Sequence, residues 1–252
     1  MIDLSIAIVA YNDEEEVRNA VCSILEHTAP AISKQIYIID NSDKANNLQK
    51  LEENEREVSY IKAERNKGFG AGHNEVLSRI DSKYHAIVNP DIVLVEDTFS
   101  VLMDFMQDTS VGMAVPKILS EDGTMQQSYR KEPTLFDMVI RRTPFFKKRQ
   151  REHVLGDQDF NTAFQVPFVH GCFYLIRTEL FQKLRGFDER YFMYMEDADL
   201  CKRVNACSRL MYCPDTKVIH RWERASKGNS KLRKIHIQSM IAYFKKWGWK
   251  LW

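Results

Sequence analysis

AIVNPDIVL, residues 86–94, is the stretch that decides the fold. An apolar run, Ala86-Ile87-Val88, halts at Asn89-Pro90-Asp91 and resumes as Ile92-Val93-Leu94. Proline has no N–H to give a ladder, so Pro90 does not fit inside a central strand. A buried strand therefore ends here and sets a carboxylate at its carboxyl end. Working outward, SIAIVAY (5–11) reads as another buried strand, and Asp13-Glu14-Glu15-Glu16 opens a helical pattern through Val17, Val21, Ile24 and Leu25. Negative charge suits a helix N-terminus. QIYIIDN (35–41) and VSYIKAE (58–64) read as strands around a charged helical stretch, and GAGHNEVLSRI (70–80) as a helix. DTFSVLMDFMQ (97–107) is predicted helical and VGMAVPKI (111–118) extended. Strands alternating with helices imply parallel pairing with helices on both faces. Such sheets bind ligands beyond the carboxyl ends of their strands. Asp40 ends the second strand and Asp91 the fourth, so both fall at that edge.

The second half is less regular. Residues 120–165 are expected to hold loops and a short helix, and FQVPFVHGCFYLIR (164–177) one long apolar strand. MEDADLCKRVNAC (195–207) reads as a helix, RLMYCPDTKVIH (209–220) contains a strand, and 229–246 is an amphipathic helix. There is no repeat and no low-complexity linker. One compact domain is expected.

A chain of 252 residues with 44% hydrophobic residues can bury a full core and is not disordered. A net charge of +1 gives no general polyanion signal, and the basic stretches lack a reading motif, so nucleic acid is not an expected partner. The charge is instead concentrated. RRTPFFKKRQR (141–151) is densely basic, and the tail after Lys217 adds Trp222, Tyr243, Trp247, Trp249 and Trp252. Lys and Arg favour an anionic surface and Trp and Phe the membrane interface. The same residues also suit a solvated basic face and an aromatic helix packed on the domain, and the apolar C-terminal helix leaves a homodimer open. Five cysteines without a CxxC pair suggest neither a disulfide framework nor a zinc site. Met1-Ile2-Asp3 runs straight into a strand, and no apolar run is long enough to cross a bilayer. The expected compartment is the cytoplasm.

Three stretches carry chemistry. Pro90 stiffens the strand exit and fixes the direction of Asp91. A metal-bound diphosphate needs a rigid hard oxygen ligand, and one or two carboxylates are enough for Mg²⁺ or Mn²⁺. ERNKGFGAGHN (64–74) has the glycines of a phosphate-cradling loop or of a flexible turn. It is not a dinucleotide fingerprint, because His73 stands where GxGxxG needs Gly. In YFMYMEDADLCKRV (191–204), a helical phase of about 100° per residue puts Asp197 on the stripe of Leu200, Cys201 and Val204. Glu196, Asp199 and Arg203 fall on the next stripe, where Asp199 and Arg203 form an i,i+4 pair. Asp197 is either a cap or a general base, whose pKa partial desolvation would raise toward the working range. His220 ends an apolar pair and is a metal ligand only in company. Gly171, after His170, suggests close approach of a ligand or another backbone.

In this order, IAIVAYN (6–12), IIDNS (38–42), NKGFGAGHN (66–74), NPDI (89–92), HGCFYLIR (170–177), GFDERYFMYMEDADLCKR (186–203) and VIH (218–220) resemble a family 2 glycosyltransferase. Within that family the chain is most similar to bacterial rhamnosyltransferases of cell-wall and surface-polysaccharide assembly. The resemblance implies one nucleotide-sugar-binding, Rossmann-like α/β domain of the GT-A type over 1–220, with a mostly parallel sheet. Residues 1–118 would be its nucleotide-binding half and 119–220 its acceptor and catalytic half, followed by a basic, aromatic helical extension over 221–252. It also implies roles. Ala10 and Tyr11 would line the nucleotide pocket, with Asp40 facing the base. Asn66, Lys67, Gly68, Phe69, Gly70 and Asn74 would lie against the nucleotide-sugar. Asp91 keeps the last carboxylate of the family's Asp-x-Asp and would bind the metal, with Asn89 in place of the first. His220 would complete the metal shell, Gly171 would sit near donor sugar and acceptor, and Asp197, beside Glu196, would be the base. The implied reaction is an inverting transfer, from a donor such as dTDP-β-L-rhamnose, to a saccharide acceptor of the lipid-linked kind.

Rival readings are weaker. A nucleotidyltransferase usually carries a Gly-rich basic loop after its first strand, but AYNDEEEV (10–17) is acidic and lacks Gly. The failed fingerprint disfavours a nicotinamide oxidoreductase. A non-catalytic nucleotide- or carbohydrate-binding module would need neither Asp197 on the apolar stripe nor the metal carboxylate.

Overall fold

The computed structural model describes every residue except 141, 142, 144 and 222–229. Arg141, Arg142 and Trp222 of the basic and aromatic segments therefore lie outside the described residues. The first half runs β1 (Ile2–Ala10), α1 (Glu14–His27), β2 (Lys34–Asp40), α2 (Gln49–Asn54), β3 (Val58–Lys62), α3 (Phe69–Asn74), β4 (Ser82–Val88), β5 (Ile92–Leu94), α4 (Thr98–Phe105) and β6 (Val111–Leu119). The second runs β7 (Tyr129–Arg130), α5 (Leu135–Ile140), α6 (Lys147–His153), β8 (Phe164–Gln165), β9 (Phe168–Val169), β10 (Phe173–Arg177), α7 (Thr178–Lys183), α8 (Glu196–Asn205), β11 (Arg209–His220) and α9 (Ser230–Trp247).

One sheet has the order β3-β2-β1-β4-β10-β6-β11-β5, with β8 added on β11. β1 pairs in parallel with both β2 and β4. It is buried continuously from Leu4 to Ala10, as a central strand covered on both faces must be. Helix α1 buries Val17, Ala20, Val21 and Ile24, one stripe at helical spacing, and exposes its polar side.

The sheet is mostly parallel, as expected, with one insertion that the strand–helix alternation did not foretell. β6 does not neighbour β4; β10 is inserted between them, antiparallel to both. Beyond it β6 and β11 are parallel again. The long strand expected over 164–177 is broken into β8, β9 and β10. Pro167 cannot donate to a ladder. The His170–Cys172 turn then reverses the direction, with the Cys172 N–H bonded to the His170 carbonyl over 2.8 Å. β9 leaves the main sheet to pair with β7. The helix expected over 70–80 stops at Asn74, although Val76 and Ile80 beyond it stay buried. The described residues of 120–165 hold two short helices rather than one.

Helix α9 packs back on the domain. It buries Tyr243 and Phe244, and the Ser239 hydroxyl donates to the Met193 carbonyl over 2.8 Å. Among the described residues, no helix is long and apolar enough to cross a membrane.

Candidate active site

At the carboxyl edge, β4 ends at Val88 and the chain turns through Asn89-Pro90-Asp91 into β5. The antiparallel pairing of β5 with β11 sets His220 opposite Ile92. This brings His220 Nε2 to 3.2 Å from Asp91 Oδ2. The ring is oriented from behind. Gln126 Nε2 donates to the His220 carbonyl over 2.8 Å, which turns Gln126 Oε1 toward His220 Nδ1 at 2.8 Å. Such an outer-shell bond fixes the ring of a metal-ligating histidine. Asp91 Oδ1 and Asn89 Oδ1 are both buried without a hydrogen-bond partner. Buried oxygens are normally paired, so two orphans in one turn fit a hard cation. No group of three or more His, Cys, Asp or Glu side chains that could hold a metal occurs among the described residues. Asp91 and His220 would supply two protein ligands, a number that suits Mg²⁺ or Mn²⁺ shared with substrate phosphates.

The second half of the site is the first turn of α8. Tyr194 and Met195, just before it, both have left-handed backbones, with φ of 69° and 71°. Consecutive non-glycine residues in this region store strain and persist where the surroundings over-determine them. Asp197 is part-buried. Its Oδ1 accepts from the Ala198 N–H over 2.8 Å and its Oδ2 from the Gly171 N–H over 3.3 Å. Burial pushes its carboxyl up to about 6, against the pull of those N–H groups. Glu196 is buried at 6% exposure, and its Oε2 has no hydrogen-bond partner. Burial, with Asp197 beside it, raises Glu196 well above the usual carboxylate range.

The two halves meet at Cys172, whose carbonyl accepts from the Asn89 N–H over 2.9 Å. Burial raises the Cys172 thiol, and Asp91 and then Asp197 add to it, so the thiol lies within the field of both carboxylates. Gly171 is pressed against Asp197. A Cβ there would lie 3.1 Å from Asp197 Cβ and 3.6 Å from Phe69 Cε1.

The stripe assignment on α8 needs correcting. Asp199 and Glu196, placed on the stripe next to the apolar one, are more buried than Asp197, and Asp199 is fully closed to solvent. Its pair with Arg203 is present at 2.7 Å, but Lys246 (2.6 Å) and the Trp247 indole N–H (2.8 Å) also converge on it. The cause is α9, which covers that face.

A second feature of this edge lies at the carboxyl ends of β2 and β3. A pocket of about 300 Å³ is lined by Asp40, Ser42, Asp43, Asn46, Tyr60 and Lys62, among others. Asp40, expected to face the base, is fully buried beneath it. Its oxygens accept from the Ser42 N–H (2.8 Å), Asn46 Nδ2 (3.0 Å), the Tyr60 hydroxyl (2.7 Å) and Lys62 Nζ (3.0 Å). Burial alone would raise Asp40, but the bonds from Ser42, Asn46 and Tyr60 outweigh it and hold the carboxyl well below its usual range. Ala10, expected to line the pocket, is also fully buried, and its carbonyl accepts from the Asn41 N–H over 2.9 Å. Tyr11 is 43% exposed and its hydroxyl donates to Asp43 over 3.4 Å. Ser42, Asp43, Asn46, Tyr60 and Lys62 escaped the sequence reading. Tyr60 and Lys62 had a signal: in a strand, residues two apart share a face, and Lys62 stands at its exit.

The loop after β3 packs toward the segment before α8 rather than toward this pocket. Asn66 Oδ1 accepts from the Gly68 N–H over 2.9 Å, and Lys67 pairs with Glu75 at 2.5 Å. Gly68 has φ +90°, and a Cβ there would lie 1.9 Å from the Phe192 carbonyl oxygen. Gly70 is backed by the Phe187 side chain at 2.8 Å from a would-be Cβ. The Phe69 ring lies edge-on to His73 and Phe187. Asn74, expected against the nucleotide-sugar, has its amide engaged elsewhere. It donates to the Phe187 carbonyl (2.9 Å) and Glu189 (3.0 Å) and accepts from the Phe187 N–H (2.8 Å), tying α3 to the loop before α8.

Comparison with known proteins places this geometry in context. The family model described as Glycosyl transferase family 2 matches residues 5–185. Rhamnosyltransferase WbbL of Escherichia coli K12 is 26% identical over 189 residues, 70% of this chain and 69% of that protein. The N-acetylglucosaminyl-diphospho-decaprenol L-rhamnosyltransferase of Mycobacterium tuberculosis is 24% identical over 233 residues, 86% of this chain and 75% of that protein. Among solved structures, GalNAc-T7 with UDP, GalNAc and Mn²⁺ superposes with a TM-score of 0.69 at 19% identity, covering 91% of this chain and 45% of that one. The mannosyltransferase PcManGT of Pyrobaculum calidifontis with GDP-Man and Mn²⁺ gives 0.64 at 16%, covering 98% and 66%. These likenesses show the GT-A fold. The chain thus spans less than half of the GalNAc-T7 chain.

Proposed function

Because the chain belongs to glycosyl transferase family 2, we propose that it is an inverting rhamnosyltransferase that moves L-rhamnose from dTDP-β-L-rhamnose to a hydroxyl of a lipid-linked saccharide, in the cytoplasm at the inner face of the cell membrane, during cell-wall or surface-polysaccharide synthesis. The observation that carries the reading is that one turn ties both halves together: the Cys172 carbonyl accepts from Asn89 beside the Asp91–His220 pair, and the adjacent Gly171 N–H donates to Asp197. Rhamnose rests on two relatives named as rhamnosyltransferases, and the lipid-linked acceptor on the diphospho-decaprenol in one of those names. Residues 1–118 hold the donor and 119–220 the acceptor and the base.

The nucleoside enters the Asp40–Lys62 pocket, with Asp40 holding Tyr60 and Lys62 in place. Asp91 and His220, with Asn89 beside them, would hold Mg²⁺ or Mn²⁺ at the diphosphate. Such an ion neutralises the charge that develops on the leaving nucleoside diphosphate. Asp197 takes the proton from the acceptor hydroxyl. The oxygen attacks the anomeric carbon from the face opposite the diphosphate. The carbon–oxygen bond to dTDP breaks, its electron pair leaves on the diphosphate, and the β-linked donor gives an α-L-rhamnoside. The Gly171 and Ala198 N–H groups keep Asp197 aimed.

The test is a donor panel with a polyprenyl-diphosphate saccharide acceptor and NMR of the product. Transfer from dTDP-rhamnose giving an α-linkage supports the reading. Transfer from a UDP-sugar alone would keep fold and mechanism and remove rhamnose; GalNAc-T7, whose structure contains UDP, keeps that arm in view.

A further inference from the structure

Two segments far apart in sequence build one apolar patch. Phe136 on α5 contacts both the Trp252 ring, at 4.5 Å between centroids, and the Phe146 ring, at 5.3 Å. The C-terminal segment is fixed there by main-chain bonds: the Leu135 N–H donates to the Lys250 carbonyl (3.0 Å) and the Phe136 N–H to that of Leu251 (3.2 Å). Yet the patch is open. Val139 is 73% exposed, Trp252 71%, Phe145 69%, Leu251 59% and Phe146 55%. Contiguous apolar surface of this kind marks a binding face.

Its surroundings are basic. Lys147 and Lys148 follow Phe146 directly and are exposed, and Lys250 stands beside Leu251. Two of the nearby carboxylates are already paired. Asp137 is buried against Arg149 at 2.7 Å, and Glu132 lies between Lys202 (2.9 Å) and Lys250 (3.2 Å). Glu132 also links the patch to the site, since Lys202 belongs to α8, the helix that carries Asp197.

We propose that this patch, with Phe136, Phe146 and Trp252 at its centre and Lys147 and Lys148 at its rim, docks the protein on an anionic bilayer surface and so presents α8 to an acceptor held in that bilayer. The occupant follows from the chemistry. Aromatic side chains favour the membrane interface, and lysines beside them favour anionic headgroups. With no helix among the described residues able to span a bilayer, contact is interfacial. The inference rests on the lipid-linked acceptor proposed above.

The test is vesicle flotation of the whole chain with phosphatidylcholine vesicles and with vesicles that also contain phosphatidylglycerol. Binding should be about tenfold or more tighter on the anionic vesicles and fall as salt is added. It should be lost in Phe145→Ser/Phe146→Ser and weakened in Lys147→Glu/Lys148→Glu, while melting temperature and nucleotide binding hold. Equal or absent binding to the two vesicle types, or binding untouched by the phenylalanine pair, overturns the proposal. So does a lipid-free dimer that the phenylalanine pair dissolves, which would assign the patch to a second copy. Transfer to a water-soluble acceptor, measured alongside, separates the two readings: its failure with vesicle binding intact strikes the proposed reaction and not the patch.

Discussion

Gly171 donates its backbone N–H to Asp197 Oδ2 over 3.3 Å, so the turn before β10 and the first turn of α8 meet at one carboxylate. Position 171 has room only for glycine in ordinary contact, because a Cβ would lie 3.1 Å from that of Asp197. Gly171→Ala should push the carboxylate off its line to the acceptor and lower kcat roughly tenfold or more, while nucleotide binding in the distant Asp40 pocket is unchanged. Steady-state kinetics with a titration of dTDP would show it. An equal loss of both would mean a general disturbance of the fold.

The raised carboxyl of Asp197 gives a pH profile with a defined sign. A base must be ionised, so transfer should rise as pH climbs through about 6 and then level off. Stability runs the other way. A carboxyl raised from its ordinary 3.8 to about 6 binds its proton more tightly in the folded state, so ionising it through that window destabilises the fold. Asp197→Asn should therefore abolish transfer and yet melt at or above the wild-type temperature at neutral pH, with the advantage vanishing in acid. A variant clearly less stable at neutral pH would contradict this.

Asp40 shows the opposite linkage. Its folded-state carboxyl is held below the ordinary 3.8, so its contribution is present above that value and is lost as pH falls through the folded one. Asp40→Ala would leave the Tyr60 hydroxyl, Asn46 and Lys62 without their acceptor. A loss of about 2–4 kcal/mol in urea unfolding at neutral pH is expected, along with weaker nucleotide binding. Unchanged stability would mean that water replaces the carboxylate.

Asp199 tests how far α9 supports the site. It is closed to solvent and accepts from Arg203, Lys246 and Trp247. Asp199→Ala should cost about 3–5 kcal/mol, because it removes a fully buried carboxylate and leaves the part-buried Arg203 without its ion pair, although Lys246 keeps Asp188. Trp247→Phe removes one donor and should cost about 1 kcal/mol. Calorimetric melting of the two variants gives the comparison, and equal small effects would show that α9 is not anchored through this carboxylate.

The edge itself was legible because proline cannot continue a strand and carboxylates at strand exits mark a ligand edge; Asp40, Asp91 and His220 all lie where their strands end. What escaped the sequence had tertiary causes. The insertion of β10 between β4 and β6 depends on partners far along the chain, which periodicity does not encode. The burial of Asp199 and Glu196 required knowing that α9 folds over α8. Asn74 and Ala10 were placed against substrate, but the first binds a loop more than a hundred positions away and the second lies inside the sheet. Tyr60 and Lys62 were hidden differently: alternation put them on one face, but only Asp40 beneath them gives that face a role.

The decisive measurement is the thermal shift produced by dTDP, with and without Mn²⁺, on the wild-type chain and on Asp91→Ala. A ligand that binds only the native state raises its melting temperature by mass action. If Asp91 and His220 hold an ion at the diphosphate, dTDP should stabilise the wild type far more with Mn²⁺ than without it, and the metal-dependent part should disappear in Asp91→Ala. A dTDP shift that is the same in both proteins, with or without metal, would contradict the assignment of Asp91 and with it the leaving-group half of the reaction.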